Sequence, residues 1–209
     1  MDIQFYGANC ISLNYKTTRI VIDDNLAMLG KKTILKNGDV ALFTSANEHE
    51  LVVNPKILID CPGEYEIADI SIIGIPARAH MDVGKEHNAT IYRISMNDIS
   101  VLVSGHIYPE LSEDLLEMIG TNDVLIVPVG GHGYTLDAKG ALSIIKELEP
   151  KLVIPTHYSD ESLAFPVPQA DLSEALKDMA MEPKEITAKL KLKSVDLSDL
   201  TQLVVLETS

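Results

Sequence analysis

The chain of 209 residues carries 17 Lys+Arg against 31 Asp+Glu, a formal charge of −14, with 46% hydrophobic and 23% charged residues. Such a length and apolar fraction describe one globular domain with a sizeable core, and they exclude intrinsic disorder and collagen-like structure. The acidic balance argues against a nucleic-acid partner, because a negative surface repels polyphosphate, and no apolar run reaches the ~18–20 residues of a membrane span.

The start, Met1-Asp2-Ile3-Gln4-Phe5, has no basic segment leading into an apolar one, so no signal peptide and a cytoplasmic location are expected. Asp2 to Tyr6, Cys10 to Tyr15 and Arg19 to Asp23 are rich in Ile, Val, Leu and aromatics and are predicted strands, with Lys16-Thr17-Thr18 as a hairpin turn. Cys10 and Cys61 form no C-x-x-C pair, fit a reducing compartment and are both expected in the core. Val40 to Thr44, Lys56 to Ile59 and Ile70 to Pro76 continue the strand pattern, with Pro62-Gly63 as a turn because Pro presets φ and Gly permits φ > 0. A second hairpin, Thr90 to Ser95 and Ile99 to Ser104, flanks Met96-Asn97-Asp98.

From Ser112 the period changes. Ser112 caps a short helix with Glu113 and Asp114 in its first turn, where the helix dipole favours negative charge, and Gly120 ends it. Asp123 to Val129 is an apolar strand. Asp137 caps a helix with Ala138, Ala141, Leu142, Ile145 and Leu148 at helical spacing, Pro150 stops it, and Lys151 to Thr156 is a buried strand, so a β-α-β unit with parallel strands is predicted. One more helix carries Leu172, Ala175, Leu176, Met179 and Ala180 on one face, and Ala188 to Lys193 and Gln202 to Glu207 are the last strands. No linker divides residues 1–209, so the expectation is a single layered α/β domain.

Chemistry-bearing residues are few. His49, His80, His106 and His157 each fall just past a predicted strand, where layered α/β folds place ligand sites. His87 reads as a solvated loop residue. His132, in Gly-Gly-His-Gly-Tyr, is a candidate for lining a pocket. There is no G-x-S-x-G elbow and no P-loop, and Gly-Gly-His-Gly lacks the dinucleotide-binding spacing.

Taken together, Pro62-Gly-Glu-Tyr-Glu-Ile67, Ile73-Gly-Ile-Pro76, Asp123-Val-Leu-Ile-Val-Pro-Val-Gly-Gly131, Tyr134-Thr-Leu-Asp-Ala138, Glu149-Pro-Lys-Leu-Val-Ile-Pro-Thr-His-Tyr158 and Leu203-Val-Val-Leu-Glu207 resemble the metallo-β-lactamase fold. The likeness is to its branch of small metal-dependent hydrolases related to ascorbate-lactone hydrolases. It implies a four-layer αββα sandwich with a metal site at one edge between two sheets. The family's signature, T-H-x-H-x-D-H, is followed by a later His, an Asp and a last His. Here Thr44-Ser-Ala-Asn-Glu-His-Glu50 stands at the signature. His80 matches the later His, His106 stands where the Asp is expected, His157 matches the last His, and Asp23 matches an acidic residue that supports the site.

By that resemblance, a first metal position would be held by Ser45, Asn47 and His80, a weak zinc site. A second would be held by His49, Glu50, His106 and His157, all competent ligands for zinc or another first-row divalent metal. Two readings stay open. Either the dinuclear zinc site is lost and the chain is a non-catalytic or atypical member that binds a small molecule or partner without metal, or it is a metal-dependent hydrolase with a rebuilt mononuclear site. In the second, a metal-bound water would be the nucleophile. His80 acting as a general base without metal is a further candidate role. Monomer and homodimer are both compatible with this reading.

Overall fold

The structure is a computed structural model that describes all residues except 46–50, 52 and 85. Its strands are β1 (Asp2–Gly7), β2 (Cys10–Tyr15), β3 (Thr18–Ile22), β4 (Val40–Leu42), β5 (Ile57–Ile59), β6 (Gly63–Ile67), β7 (Ile70–Ala77), β8 (Ala89–Met96), β9 (Ile99–Val103), β10 (Val124–Pro128), β11 (Leu152–Thr156), β12 (Pro183–Thr187), β13 (Leu190–Lys191) and β14 (Gln202–Leu206). Three helices, α1 (Glu113–Ile119), α2 (Ala138–Leu148) and α3 (Leu172–Met179), accompany them. None of the described helices is long and apolar enough to cross a membrane.

Two mixed sheets form. The first has the order β13-β1-β2-β3-β4-β5 and the second β12-β14-β11-β10-β9-β8-β7-β6. Alternation along β1 buries Ile3 and Phe5 toward the second sheet. They pack with Ile11, Leu13, Ile20 and Ile22 against Ile72, Tyr92, Ile94, Val101, Ile126 and Ile154. β10 and β11 are buried on both faces, as strands between a sheet and a helix layer must be. Leu125, Val127 and Val153 turn outward to meet Ala141, Ile144 and Ile145 of α2 and Ala175 and Met179 of α3. The β10–β11 pair is parallel, in register from Val124↔Leu152 to Pro128↔Thr156, as the β-α-β reading predicted. Tyr92 ties the two sheets together, its hydroxyl donating to the Phe43 carbonyl at 3.1 Å.

The helix signals act as expected. Leu115 N–H donates to Ser112 Oγ at 3.2 Å and Gly140 N–H to Asp137 Oδ1 at 2.8 Å, each satisfying a donor at the helix start that has no partner within the helix. On the outer face of the first sheet, Cys10, Val21, Ala41 and Phe43 are covered by Leu26, Leu35 and Leu163. Leu26 belongs to a 3₁₀ turn, Leu26–Leu29.

Three expectations are corrected. Pro62-Gly63 does not simply turn the chain: Gly63 opens β6, which pairs antiparallel with β7. The last strand region, read as Ala188 to Lys193, contracts to the two residues of β13, while β12 forms earlier from a segment whose pattern is largely exposed. Cys61 is exposed, not in the core, its Sγ 3.3 Å from the Tyr65 hydroxyl. It sits on the connection into β6, the last strand of its sheet, where no further strand covers it.

Candidate functional site

The site forms at the strand ends. Asp23 follows β3, Thr44 and Ser45 follow β4, His80 follows β7, His106 follows β9, Tyr134 follows β10 and His157 follows β11. Parallel strands deliver their C-terminal loops to one edge, which is why residues far apart in sequence meet there. The Asp23 carboxylate is buried and accepts from Thr44 N–H and from Thr44 Oγ1, both at 2.7 Å. Thr44 in turn accepts Thr90 N–H through its carbonyl at 2.8 Å. Its side chain also fills the space at Gly105, where a Cβ would lie 2.4 Å from Thr44 Oγ1. Asp23 therefore fastens the ends of β3, β4, β8 and β9 in one step.

His80 and His106 are carried by two segments zipped together, with His80 N–H donating to the His106 carbonyl at 2.7 Å and Tyr108 N–H to the Arg78 carbonyl at 2.9 Å. The His106 and His157 rings stand edge to face with centroids 4.6 Å apart. Tyr134 lies 5.0 Å from the first ring and Phe165 5.1 Å from the second. Burial pushes both imidazoles toward the neutral form. His106 is held well below the usual range, first by desolvation and then by the neighbouring His157 and His80; His157 is pushed down to about 4 by desolvation.

Gln169 decides which tautomer His157 adopts. Gln169 Nε2 donates to the Val167 carbonyl at 3.1 Å, so its Oε1 is the acceptor facing His157 Nδ1 at 3.0 Å. Nδ1 then carries the proton and Nε2 keeps its lone pair. A ring nitrogen fixed by a carbonyl oxygen behind it is the arrangement of metal-ligating histidines. Sequence reasoning missed Gln169, and nothing in its neighbourhood, Val-Pro-Gln-Ala-Asp, signals the role. His157, Ala8 and Asp23, all in the cavity lining, adopt left-handed φ of 53°, 49° and 49°.

That cavity, of about 290 Å³, is lined by His106, Tyr134 and His157 together with Asn9, Asp23, Asn25, Met28, Leu29 and Phe165. A smaller cavity, of about 50 Å³, lies on the other side of His106 and Tyr134 and holds Ser45 and His80. The structure thus brings His106 and His157 together, joins Asp23 to them through the cavity wall, and sets His80 and Ser45 in a separate recess. Buried Nδ1 atoms of both His80 and His106 have no hydrogen-bond partner. His132 is exposed, in a third cavity beside Asp137 and Glu174, away from the histidine pair. His87 is exposed, as a solvated loop residue should be. His49, Glu50 and Asn47 lie outside the described residues. Among the described residues, no three His, Cys, Asp or Glu side chains are grouped to hold a metal ion.

The buried neutral His157 makes the stability of the metal-free protein pH-dependent. Its folded pKa lies below the unfolded value of ~6.5, so the unfolded chain binds the extra proton first and stability is complete above pH ~6.5. As pH falls from ~6.5 toward 4 the protein is expected to lose up to ~3 kcal/mol from this group. Urea melts at pH 7 and pH 4.5 measure it. A His157→Gln variant with the same loss would show that other groups are responsible.

Two sheets face to face, helices on the outer side of one, and a histidine pair at the strand ends above an inter-sheet edge define an α/β sandwich of the metallo-β-lactamase type. Residues 2–157 match the beta-lactamase superfamily domain family, and the chain belongs to that family. Among relatives, it is 30% identical over 100 residues to a UPF0173 metal-dependent hydrolase of Pyrococcus horikoshii, a match covering 46% of this chain and 44% of that protein. It is 28% identical over 130 residues to the corresponding protein of Pyrococcus furiosus, covering 61% and 56%. The chain spans about half the length of these curated relatives. A Thermotoga maritima crystal structure, described as a candidate Zn-dependent hydrolase of the metallo-β-lactamase superfamily, superposes with a TM-score of 0.74 at 27% identity, covering 99% of this chain and 98% of that one.

Proposed function

We propose that this chain is a small-molecule-binding hydrolase of the metallo-β-lactamase fold whose centre carries one divalent ion in place of two. The observation that carries the reading is the His106–His157 pair: two neutral imidazoles 4.6 Å apart, one with its tautomer fixed by Gln169, at the wall of a cavity of about 290 Å³. Neutral imidazole is the ligand form, so neither ring has to release a proton to bind a metal. The residues that would hold the ion are His106 and His157, with His49 and Glu50 completing the set that the family resemblance implies. When bound, the ion supplies a Lewis acid and a water of lowered pKa, the chemistry of ester or amide hydrolysis. Gln169 holds His157 in register, Asp23 holds Thr44 and the strand ends, and Tyr134 and Phe165 keep water from the two rings.

The other position fares worse. Ser45 offers a hydroxyl and His80 a single imidazole in a recess of about 50 Å³, which is poor chemistry for zinc. That recess also argues against His80 as a general base for a molecule bound in the larger cavity.

A metal-free binding protein is the second reading, and the packing of the histidines favours it: Tyr134 and Phe165 enclose two uncharged rings that are stable as a polar wall with no ion. Elemental mass spectrometry separates the two, on untagged protein exposed to Zn²⁺ or Mn²⁺ and then desalted. The single-metal reading expects one ion per chain, lost in both His106→Ala and His157→Ala. Two ions per chain would overturn it. No retained metal, with a melting temperature unmoved by chelator, would install the metal-free reading instead.

A further inference from the structure

We propose that the larger cavity is a subsite for an uncharged apolar arm, the size of one aromatic ring, on the small molecule that the histidine pair would hold. This deepens the small-molecule reading above and rests on it.

Two segments build the wall. The 3₁₀ turn after β3 contributes Met28 and Leu29, and the segment after β11 contributes Ala164, Phe165 and Pro166. They are clipped to each other: Ala164 N–H donates to the Leu29 carbonyl at 3.0 Å, and Lys31 Nζ stands 3.9 Å from Asp160 Oδ2. These apolar side chains keep accessible surface. Met28 is 57% exposed, Ala164 and Pro166 are exposed, and Leu29 and Phe165 are half-buried. Apolar surface left open to water gains when a ligand covers it. The wall begins at the chemistry, because the Phe165 ring lies 5.1 Å from that of His157. Pro166 and Pro168 fix φ along this irregular segment and carry no N–H, so the wall is preorganised and short of donors.

Charge and size then select the ligand. The described lining contains no Lys or Arg, and Lys31, just beyond the turn, reaches Asp160 instead. An anionic arm would leave water for a wall without a partner and would face the Asp23 carboxylate. An ammonium finds no ready partner either, because Asp23 is only 4% exposed and both its oxygens already accept hydrogen bonds from Thr44. The volume of about 290 Å³ stands at the bottom of the ~300–1,000 Å³ range of small-molecule sites. One ring on a short linker fits such a space, and a chain of sugars or amino acids does not.

The test uses 3-phenylpropanol, 3-phenylpropanoate, 3-phenylpropylamine and, without the ring, 1,3-propanediol. The protein is labelled with ¹³C at its methionine methyl groups, and the Met28 signal is the one of seven missing from Met28→Lys. Chelator is present, so that no ion holds the carboxylate. Phenylpropanol is expected to shift the Met28 methyl signal and to bind at least about tenfold more tightly than either charged analogue. The diol should leave that signal in place. Met28→Lys, at an exposed position, should fold normally, weaken phenylpropanol and bring the acid above the amine, as read by ligand-detected saturation transfer. Equal or tighter binding of the acid or the amine by the unaltered protein overturns the proposal. So does a shift caused by the diol, the absence of phenylpropanol binding, binding that leaves Met28 unmoved, or an unchanged order of affinities in Met28→Lys. The measurement needs neither metal nor turnover. No ion or two ions per chain would end the single-metal reading and leave the ring's subsite standing, and one ion per chain with a charged analogue preferred would do the reverse.

Discussion

Replacing Gly130 by alanine is expected to destabilise the protein by about 3 kcal/mol, at the upper end of what a forced methyl group costs in a packed interior, and to lower the melting temperature by roughly 6–12 °C. A Cβ built on Gly130 would stand 2.0 Å from the His157 carbonyl oxygen and 2.2 Å from Gln169 Oε1. The first of these is backbone and has no rotamer to escape into. Relief must come from moving the β11–loop junction, which drags His157 off Gln169, so on the single-metal reading retained metal should fall together with stability. Gly133→Ala is the matched control: its Cβ meets nothing within 4 Å, and its φ of 75° alone should cost about 1 kcal/mol. Differential scanning calorimetry of both variants decides the matter. A Gly130→Ala protein that melts no lower than Gly133→Ala would remove the close approach as the explanation.

Asp23→Ala should cost ~3–5 kcal/mol, the range for removing one partner of a buried, charge-assisted contact. Two hydrogen bonds at 2.7 Å are lost, and the buried Thr44 N–H is left without its acceptor. Because Thr44 also bonds Thr90 and packs on Gly105, the damage spreads to the segment that carries His106. Asp23→Asn, which keeps one carbonyl oxygen for one of the two donors, is expected to recover about half of the loss. Chemical denaturation measures both. Equal stability of the alanine and asparagine variants would mean that the carboxylate's hydrogen bonds are not what holds this edge together.

Much of the fold was legible because it depends on neighbours in the chain. Ser112 and Asp137 cap helices through side chains that reach three residues ahead, and the apolar spacing of Ala141 and Ile145 declares which face of α2 is buried. β10 and β11 announce themselves as apolar runs. β12 does not, since Pro183-Lys-Glu-Ile-Thr187 is an outermost strand with a largely exposed surface and has no alternation to read. Cys61 reads as a core residue because free cysteine usually is one and a predicted strand precedes it, but only the sheet order shows that it borders an outermost strand.

The site divides along the same line. Histidines placed after strands were visible in the sequence, and the family resemblance picked out Asp23, His80, His106 and His157. Which of them share a space was not. His106 and His157 meet at a cavity wall, His80 faces a recess behind it, and His132 stands apart. Gln169 behind His157, and Asn9 joined to Thr156 across 147 residues of sequence, left no local trace at all. Caps, periods and turns are set by interactions a few residues long, so the sequence by itself determined the helices, most of the strands, the layered α/β class and the acidic, histidine-bearing character of this protein. A tautomer, a lowered pKa or an apolar cavity wall exists only once the parallel strands have brought distant loops to one edge and excluded water from it, and those the tertiary structure alone decided.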